Sequence, residues 1–154
     1  MLTEDETKEI REEIKQYPYP AAACIDALKI VQRHRGWVSD ASVNDIAKML
    51  LISNEDVDGV ATFYSRIYRK PVARNVILIC DGISCMIMGY GSIYDYISKT
   101  LGISFGETTA DDRYTLLPIS CLGDCDHAPA MMINNDHYNN LTIEKIDELL
   151  DNYK

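Results

Sequence analysis

No apolar run in this sequence approaches the roughly 20 residues that a bilayer-crossing helix needs, so direct membrane insertion is not expected. The opening Met1-Leu2-Thr3-Glu4-Asp5-Glu6 lacks the charged segment and following apolar stretch of a secretion signal. A cytoplasmic, reducing compartment is therefore expected, and with it free thiols rather than disulfides. Basic residues are scarce. Fifteen Lys and Arg stand against 24 Asp and Glu, and the resulting net charge of −9 repels nucleic-acid phosphates and anionic lipid surfaces. A protein partner is the better expectation. The absence of a G-x-G-x-x-G fingerprint argues against a dinucleotide site on this chain, and the absence of C-x-x-C argues against thioredoxin-type dithiol chemistry. Internal repeats and low-complexity tracts are also missing.

What the chain does have is two clipped cysteine pairs, Cys80-Asp81-Gly82-Ile83-Ser84-Cys85 and Cys121-Leu122-Gly123-Asp124-Cys125. Four thiolates at such spacings can enclose one small metal centre. A glycine inside each interval lets the backbone bend around two neighbouring irons, which suits a [2Fe-2S] cluster. Structural zinc is the competing reading, because its usual C-x2-C clip can lengthen to the spacing seen here. His127 lies beside the second pair, but four thiolates already complete a ligand set, so a solvent-side or supporting role is expected for it. Cys24 falls on an apolar helical stripe and reads as a small core residue. His34 reads as a charge at a helix C-terminus and His137 as a turn residue. Asn140-Leu141-Thr142 matches a glycosylation sequon, yet a helix cap at Thr142 explains it better.

The first half is patterned as helices. Ile10, Ile14 and Tyr17 share one face of a helix stopped by Pro18 and Pro20. Cys24, Ala27, Leu28 and Val31 mark a second helix that ends at Gly36. Val43, Ile46, Ala47 and Leu50 mark a third after Ser39-Asp40, and Ser53 to Asp56 has the form of a capping box opening a fourth. A basic, proline-containing stretch from Arg69 to Arg74 reads as a junction, giving expected domains at residues 1–72 and 73–154. Beyond it, Val76–Ile79 reads as a strand buried on both faces. Tyr90 to Leu101 reads as a helix, Tyr114–Ile119 and Met131–Ile133 as strands, Asn134-Asn135-Asp136 as a turn, and Ile143 to Leu150 as a final helix. In this β-α-β-β-α order both cysteine pairs follow strands, so strands ending side by side would gather the four thiols at one sheet edge.

Gly59-Val60-Ala61-Thr62-Phe63-Tyr64, the C-x4-C at Cys80 and Cys85, and Cys121-Leu122-Gly123-Asp124-Cys125 followed by Ala128-Pro129 resemble the 24-kDa subunit family of respiratory complex I. That resemblance runs from about Ile10 to the C-terminus. It implies an α/β protein, a small N-terminal helical bundle followed by a thioredoxin-like [2Fe-2S] domain. It also implies that Cys80, Cys85, Cys121 and Cys125 ligate one binuclear cluster, near the FMN of a neighbouring NADH-binding subunit. Zinc recedes accordingly. The implied function is electron transfer within an NADH-quinone oxidoreductase held peripherally at the inner membrane, with NADH and FMN on the partner. Related subunits of NAD-linked hydrogenases and formate dehydrogenases carry the same cysteine set. The short form of this chain, without an added cysteine motif, favours the complex I subunit. With thiolate ligands only, the expected centre is a low-potential, one-electron one. Gly82, Gly89, Gly91 and Gly123 are candidates to bring backbone N–H groups to sulfur, while Asp81, Asp124 and Asp126 would lower the potential if ionised nearby. The basic and aromatic segment from Phe63 to Arg74 is a candidate docking surface, with core packing an equal explanation of Phe63 and Tyr64.

Overall fold

A computed structural model describes residues 1–153, which fall into two compact units, Met1–Pro71 and the segment beginning at Val72.

The first unit is helical: α1 (Glu4–Ile14), α2 (Cys24–Arg35), α3 (Asp40–Leu50) and α4 (Asn54–Phe63), with a 3-10 turn at Pro20–Ala23. Each helix starts or stops where the local chemistry demands it. Thr3 with Glu6, and Ser53 with Asp56, close capping boxes on α1 and α4, satisfying N–H groups that helix geometry leaves without partners. Gly36 ends α2 in the left-handed region at φ 80°, which costs glycine little. The expected first helix is shorter than its apolar pattern suggests, ending at Ile14. Tyr17 lies beyond it, disfavoured from helix by the following Pro18, and donates its hydroxyl to Asp26 Oδ2 at 2.6 Å. Ile10, Leu28, Val31, Ile46, Leu50, Val57 and Ala61 form the buried centre, and Cys24 sits among them as expected.

The second unit is built on β1 (Asn75–Cys80), α5 (Ile83–Ile87), α6 (Tyr90–Leu101), β2 (Tyr114–Ile119), β3 (Met131–Ile133), β4 (Asp136–Tyr138) and α7 (Ile143–Asn152). The sheet order is β2-β1-β3-β4; β1 and β2 run parallel, and the other pairs are antiparallel. β1 is buried from Val76 to Cys80, the continuous apolar run of a central strand. Ile77 and Ile79 share a core with Ile93 and Ile97 of α6 and with Ile146, Leu149 and Leu150 of α7. Two elements were not legible in the pattern. The expected turn at Asn134-Asn135-Asp136 is one residue shorter, because Asn134 takes φ 56° and Asp136 already pairs with Ile133, a two-residue hairpin connection. The strand it opens, Asp-His-Tyr, is polar because it forms a sheet edge. The other is α5, five residues long and too short to show a helical period. Among the described residues no helix is long and apolar enough to cross a membrane.

Candidate metal centre

Parallel pairing of β1 with β2 sets Cys80 opposite Ile119, so both strands finish at one edge of the sheet. The Asp81 N–H donates to the Ile119 carbonyl at 3.0 Å, and the Cys80 N–H to the Ala130 carbonyl at 3.1 Å. Cys80 is thus the last residue of a central strand rather than part of a loop. Cys85 stands on α5, which starts at once after Gly82. Both thiols are buried, at 3% and 2% exposure, while Cys121 and Cys125 are exposed on the segment after β2. A wall and a mouth result, with two thiols in the protein and two at its surface.

The sulfurs crowd one another. Cys121 Sγ and Cys125 Sγ are 3.7 Å apart, close to the separation of about 3.8 Å that a tetrahedral metal at about 2.3 Å from each thiolate requires. Burial first, and the neighbouring Cys80 thiol second, push the Cys85 thiol up to about 11, and Cys121 raises Cys125. Neighbouring thiols resist ionising together when nothing positive lies between them, and a bound metal reverses this by holding each as a thiolate.

The backbone is shaped for sulfur. The Gly123 N–H donates to Cys121 Sγ at 3.3 Å, and the Ala130 backbone N–H bonds the Cys85 sulfur and opposes its upward shift. A methyl group on Gly82 would stand 2.7 Å from the Ser120 carbonyl oxygen and 3.4 Å from Cys80 Sγ. The chain passes there too closely for any side chain. Four convergent thiols, N–H groups directed at sulfur and a glycine-only passage together fit a four-thiolate metal or iron-sulfur centre. Of the four nominated glycines, Gly123 makes the sulfur contact and Gly82 allows the close approach. Gly89 takes φ 108° in the turn into α6.

The surrounding polar residues are more organised than the sequence suggests. Asp124 accepts from His127 Nδ1 at 2.6 Å and from Asn139 Nδ2 at 2.7 Å, and His137 Nδ1 lies 3.7 Å from the same carboxylate. Asn139, then His127, hold the Asp124 carboxyl below its ordinary range, and Asp124 with Asp126 raises His127. His127 therefore faces carboxylates, consistent with a supporting rather than a ligating role. His137, expected in a turn, lies on β4. Neither His137 nor Asn139 carries a motif signal; the β3–β4 hairpin that brings them here is itself cryptic in sequence.

Four large apolar residues on and after α5, Ile83, Met86, Ile87 and Met88, are 57% to 77% exposed beside Cys85. In the helical unit Phe63 is 79% exposed and meets Tyr64 edge to face at 5.1 Å, which removes core packing as its explanation. Arg69 is otherwise engaged. Its guanidinium pairs with Asp58 at 2.8 Å and Asp40 at 2.6 Å and donates to the Val38 carbonyl, so it ties the helical unit together.

Residues 10–154 match the thioredoxin-like [2Fe-2S] ferredoxin family. The chain is 52% identical over 153 residues to the E subunit of NADH-quinone oxidoreductase from Buchnera aphidicola subsp. Acyrthosiphon pisum (strain APS), covering 99% of this chain and 94% of that protein. It is 51% identical to the corresponding E subunit of Escherichia coli (strain K12), with 99% and 92% covered. Among solved structures, the NAD+-reducing [NiFe]-hydrogenase in its H2-reduced state aligns with TM-score 0.72 at 23% identity, over 86% of this chain and 22% of that one. At that identity the likeness shows the fold alone.

Proposed function

The chain belongs to the thioredoxin-like [2Fe-2S] ferredoxin family, and from that premise we propose that it carries electrons as the E subunit of an NADH-quinone oxidoreductase, with Cys80, Cys85, Cys121 and Cys125 holding one [2Fe-2S] cluster. The observation that carries the reading is the convergence of four thiols at the ends of two parallel strands, in a chain half identical over nearly its whole length to proteins of that name.

When bound, the cluster supplies a site that gains and loses a single electron. The residues of this chain do the rest. The four thiolates fix the group, two from the buried strand end and α5 and two from the exposed segment. The N–H groups of Gly123 and Ala130, directed at sulfur, moderate the negative charge that grows on reduction. Burial of Cys80 and Cys85 keeps water from one side, while Cys121 and Cys125 leave the other side open to a partner. The nucleotide chemistry belongs to that partner, a protein carrying FMN and binding NADH. The exposed apolar residues of α5, beside the cluster ligands, and Phe63 with Tyr64 in the helical unit are the surfaces offered to it. Attachment to the inner membrane is then indirect, through the assembled complex on its cytoplasmic side.

The test is spectroscopic and genetic. Purified protein should contain two irons and two acid-labile sulfides per chain, reducible by dithionite near about −400 mV, the region of all-cysteine plant-type centres. Serine at any of the four positions should abolish or severely reduce the cluster, whereas Cys24→Ser should keep it. A colourless zinc protein, a high-potential centre, or a full cluster in any of the four variants would overturn the reading.

A further inference from the structure

Between Ile119 and Met131 the chain that carries Cys121 and Cys125 has no regular structure except the 3-10 turn Cys125–His127. Half of the ligand set therefore rests on a segment that neither the sheet nor a long helix holds in place. Something else must fix it, because thiolate ligands have to be held near their final geometry for a cluster to be retained.

The fastening runs to the segment between β4 and α7. The Asp124 carboxylate accepts from Asn139 Nδ2 on one oxygen at 2.7 Å and from His127 Nδ1 on the other at 2.6 Å. Asn139 is itself held, its carbonyl accepting from Lys145 Nζ at 2.5 Å in the first turn of α7. Two backbone bonds run alongside: Asn140 N–H to the His127 carbonyl at 2.7 Å and Leu141 N–H to the Pro129 carbonyl at 3.2 Å. The Asp124 side chain is 19% exposed, against 81% for Asp126 two residues later, so one acid of this segment is built in and the other is solvated.

We propose that Asp124 is a positioning residue for the cluster, clamping the Cys121–Cys125 segment to Asn139 and through it to the start of α7. The inference rests on the four-cysteine reading above and goes beyond it, since none of the clamp residues is a ligand. Chelation by the bound Asn139 and His127 donors keeps the carboxylate in one orientation, and with it the turn between the two exposed thiols. Its fixed negative charge also lies within the segment that wraps the cluster, which favours the oxidised state over the more negative reduced one.

Two variants separate the contributions. Asp124→Ala removes clamp and charge; Asn139→Ala removes the clamp and leaves Asp124 and all four cysteines in place. In intact, cluster-loaded protein, both should release iron to a chelator at least about tenfold faster than wild type, the scale on which supporting residues affect metal sites. The double variant should release it no faster than the worse single variant. Asp124→Ala alone should raise the reduction potential, and both should alter the electron paramagnetic resonance lines of the reduced cluster. Wild-type release rates and spectra in Asn139→Ala would overturn the proposal, also where Asp124→Ala fails to fold. A wild-type chain without any cluster would instead overturn the underlying reading.

Discussion

Cys24 and Cys85 are both buried thiols, and only their surroundings separate a packing residue from a candidate ligand. Cys24 lies among Ala27, Leu28 and Val31 with its thiol raised by burial, so it behaves as a small apolar side chain. Serine there buries a hydroxyl at a cost of about 1–3 kcal/mol without touching the cluster. Cys85 has Cys80 and Cys125 for neighbours and an N–H from Ala130, an arrangement that no apolar core requires. Gly82 belongs to the same environment. Because a Cβ at this position meets the backbone carbonyl of Ser120 at 2.7 Å, and a carbonyl cannot swing away as a side-chain tip can, Gly82→Ala should cost roughly 1–3 kcal/mol of stability and lower cluster content. Denaturant unfolding and iron analysis of that variant check both, and a fully loaded, equally stable Gly82→Ala protein would show that the passage is looser than the geometry implies.

At the scale of the element, α5 is a helix with its apolar residues on the outside. A five-residue helix gains little from its own hydrogen bonds, and Ile83, Met86, Ile87 and Met88 lie exposed rather than in the core. Exposed apolar side chains concentrated next to the candidate metal centre fit a protein interface better than a solvated surface. Charge placed at its centre should therefore act on association and spare the cluster. Met86→Lys together with Ile87→Asp is expected to weaken binding to the proposed flavin-bearing partner by about tenfold or more, with the visible spectrum unchanged; titration of the two purified proteins by calorimetry measures it. Arg69 behaves differently from a docking residue. Its guanidinium is spent on Asp40, Asp58 and the Val38 carbonyl, so Arg69→Glu should destabilise the helical unit itself, since it removes the donor to that carbonyl and sets a third carboxylate beside two that solvent partly screens.

For the whole molecule, the stability of the helical unit against acid turns on one buried carboxylate. Glu6 is fully buried, accepts from Arg35 Nε at 2.6 Å and Nη2 at 2.5 Å, and also receives the Thr3 N–H at 2.7 Å. The hydrogen bond from Arg35, above all, holds its pKa below the ordinary carboxylate value. A group whose pKa falls on folding contributes stability that is complete above its unfolded value, near about 4.3, and is lost as pH drops through the folded value. Glu6→Gln should thus cost about 3 kcal/mol at pH 7 by leaving Arg35 short of its counter-charge, and the deficit should shrink as pH falls below about 4. An equal deficit at pH 3 and pH 7 would assign the effect to packing instead. On the functional side, the isolated chain is expected to show no NADH oxidation with ferricyanide, and to be reduced by NADH only when the proposed flavin-bearing partner is added. Stopped-flow absorbance of the cluster distinguishes the two.

The sequence by itself determined the candidate chemistry and most of the elements. The cysteine spacing pointed to the candidate ligand set, and helix starts at Thr142, Ser53 and Ser39 were legible because capping is a local matter of one side chain and the next three backbone N–H groups. The strand at Val76–Ile79 was equally legible, since burial on both faces leaves a continuous apolar run. Only the tertiary structure decided which thiols are buried and which exposed, because that follows from β1 lying between β2 and β3 while the segment after β2 is left outside the sheet. The same holds for α5, whose exposed apolar residues reverse the usual pattern, and for the polar edge strand β4. The Asp124–Asn139 clamp was invisible for a related reason. Its partners are brought together by the β3–β4 hairpin and the start of α7, and a hydrogen bond between residues so far apart in the chain leaves no periodicity or spacing to read.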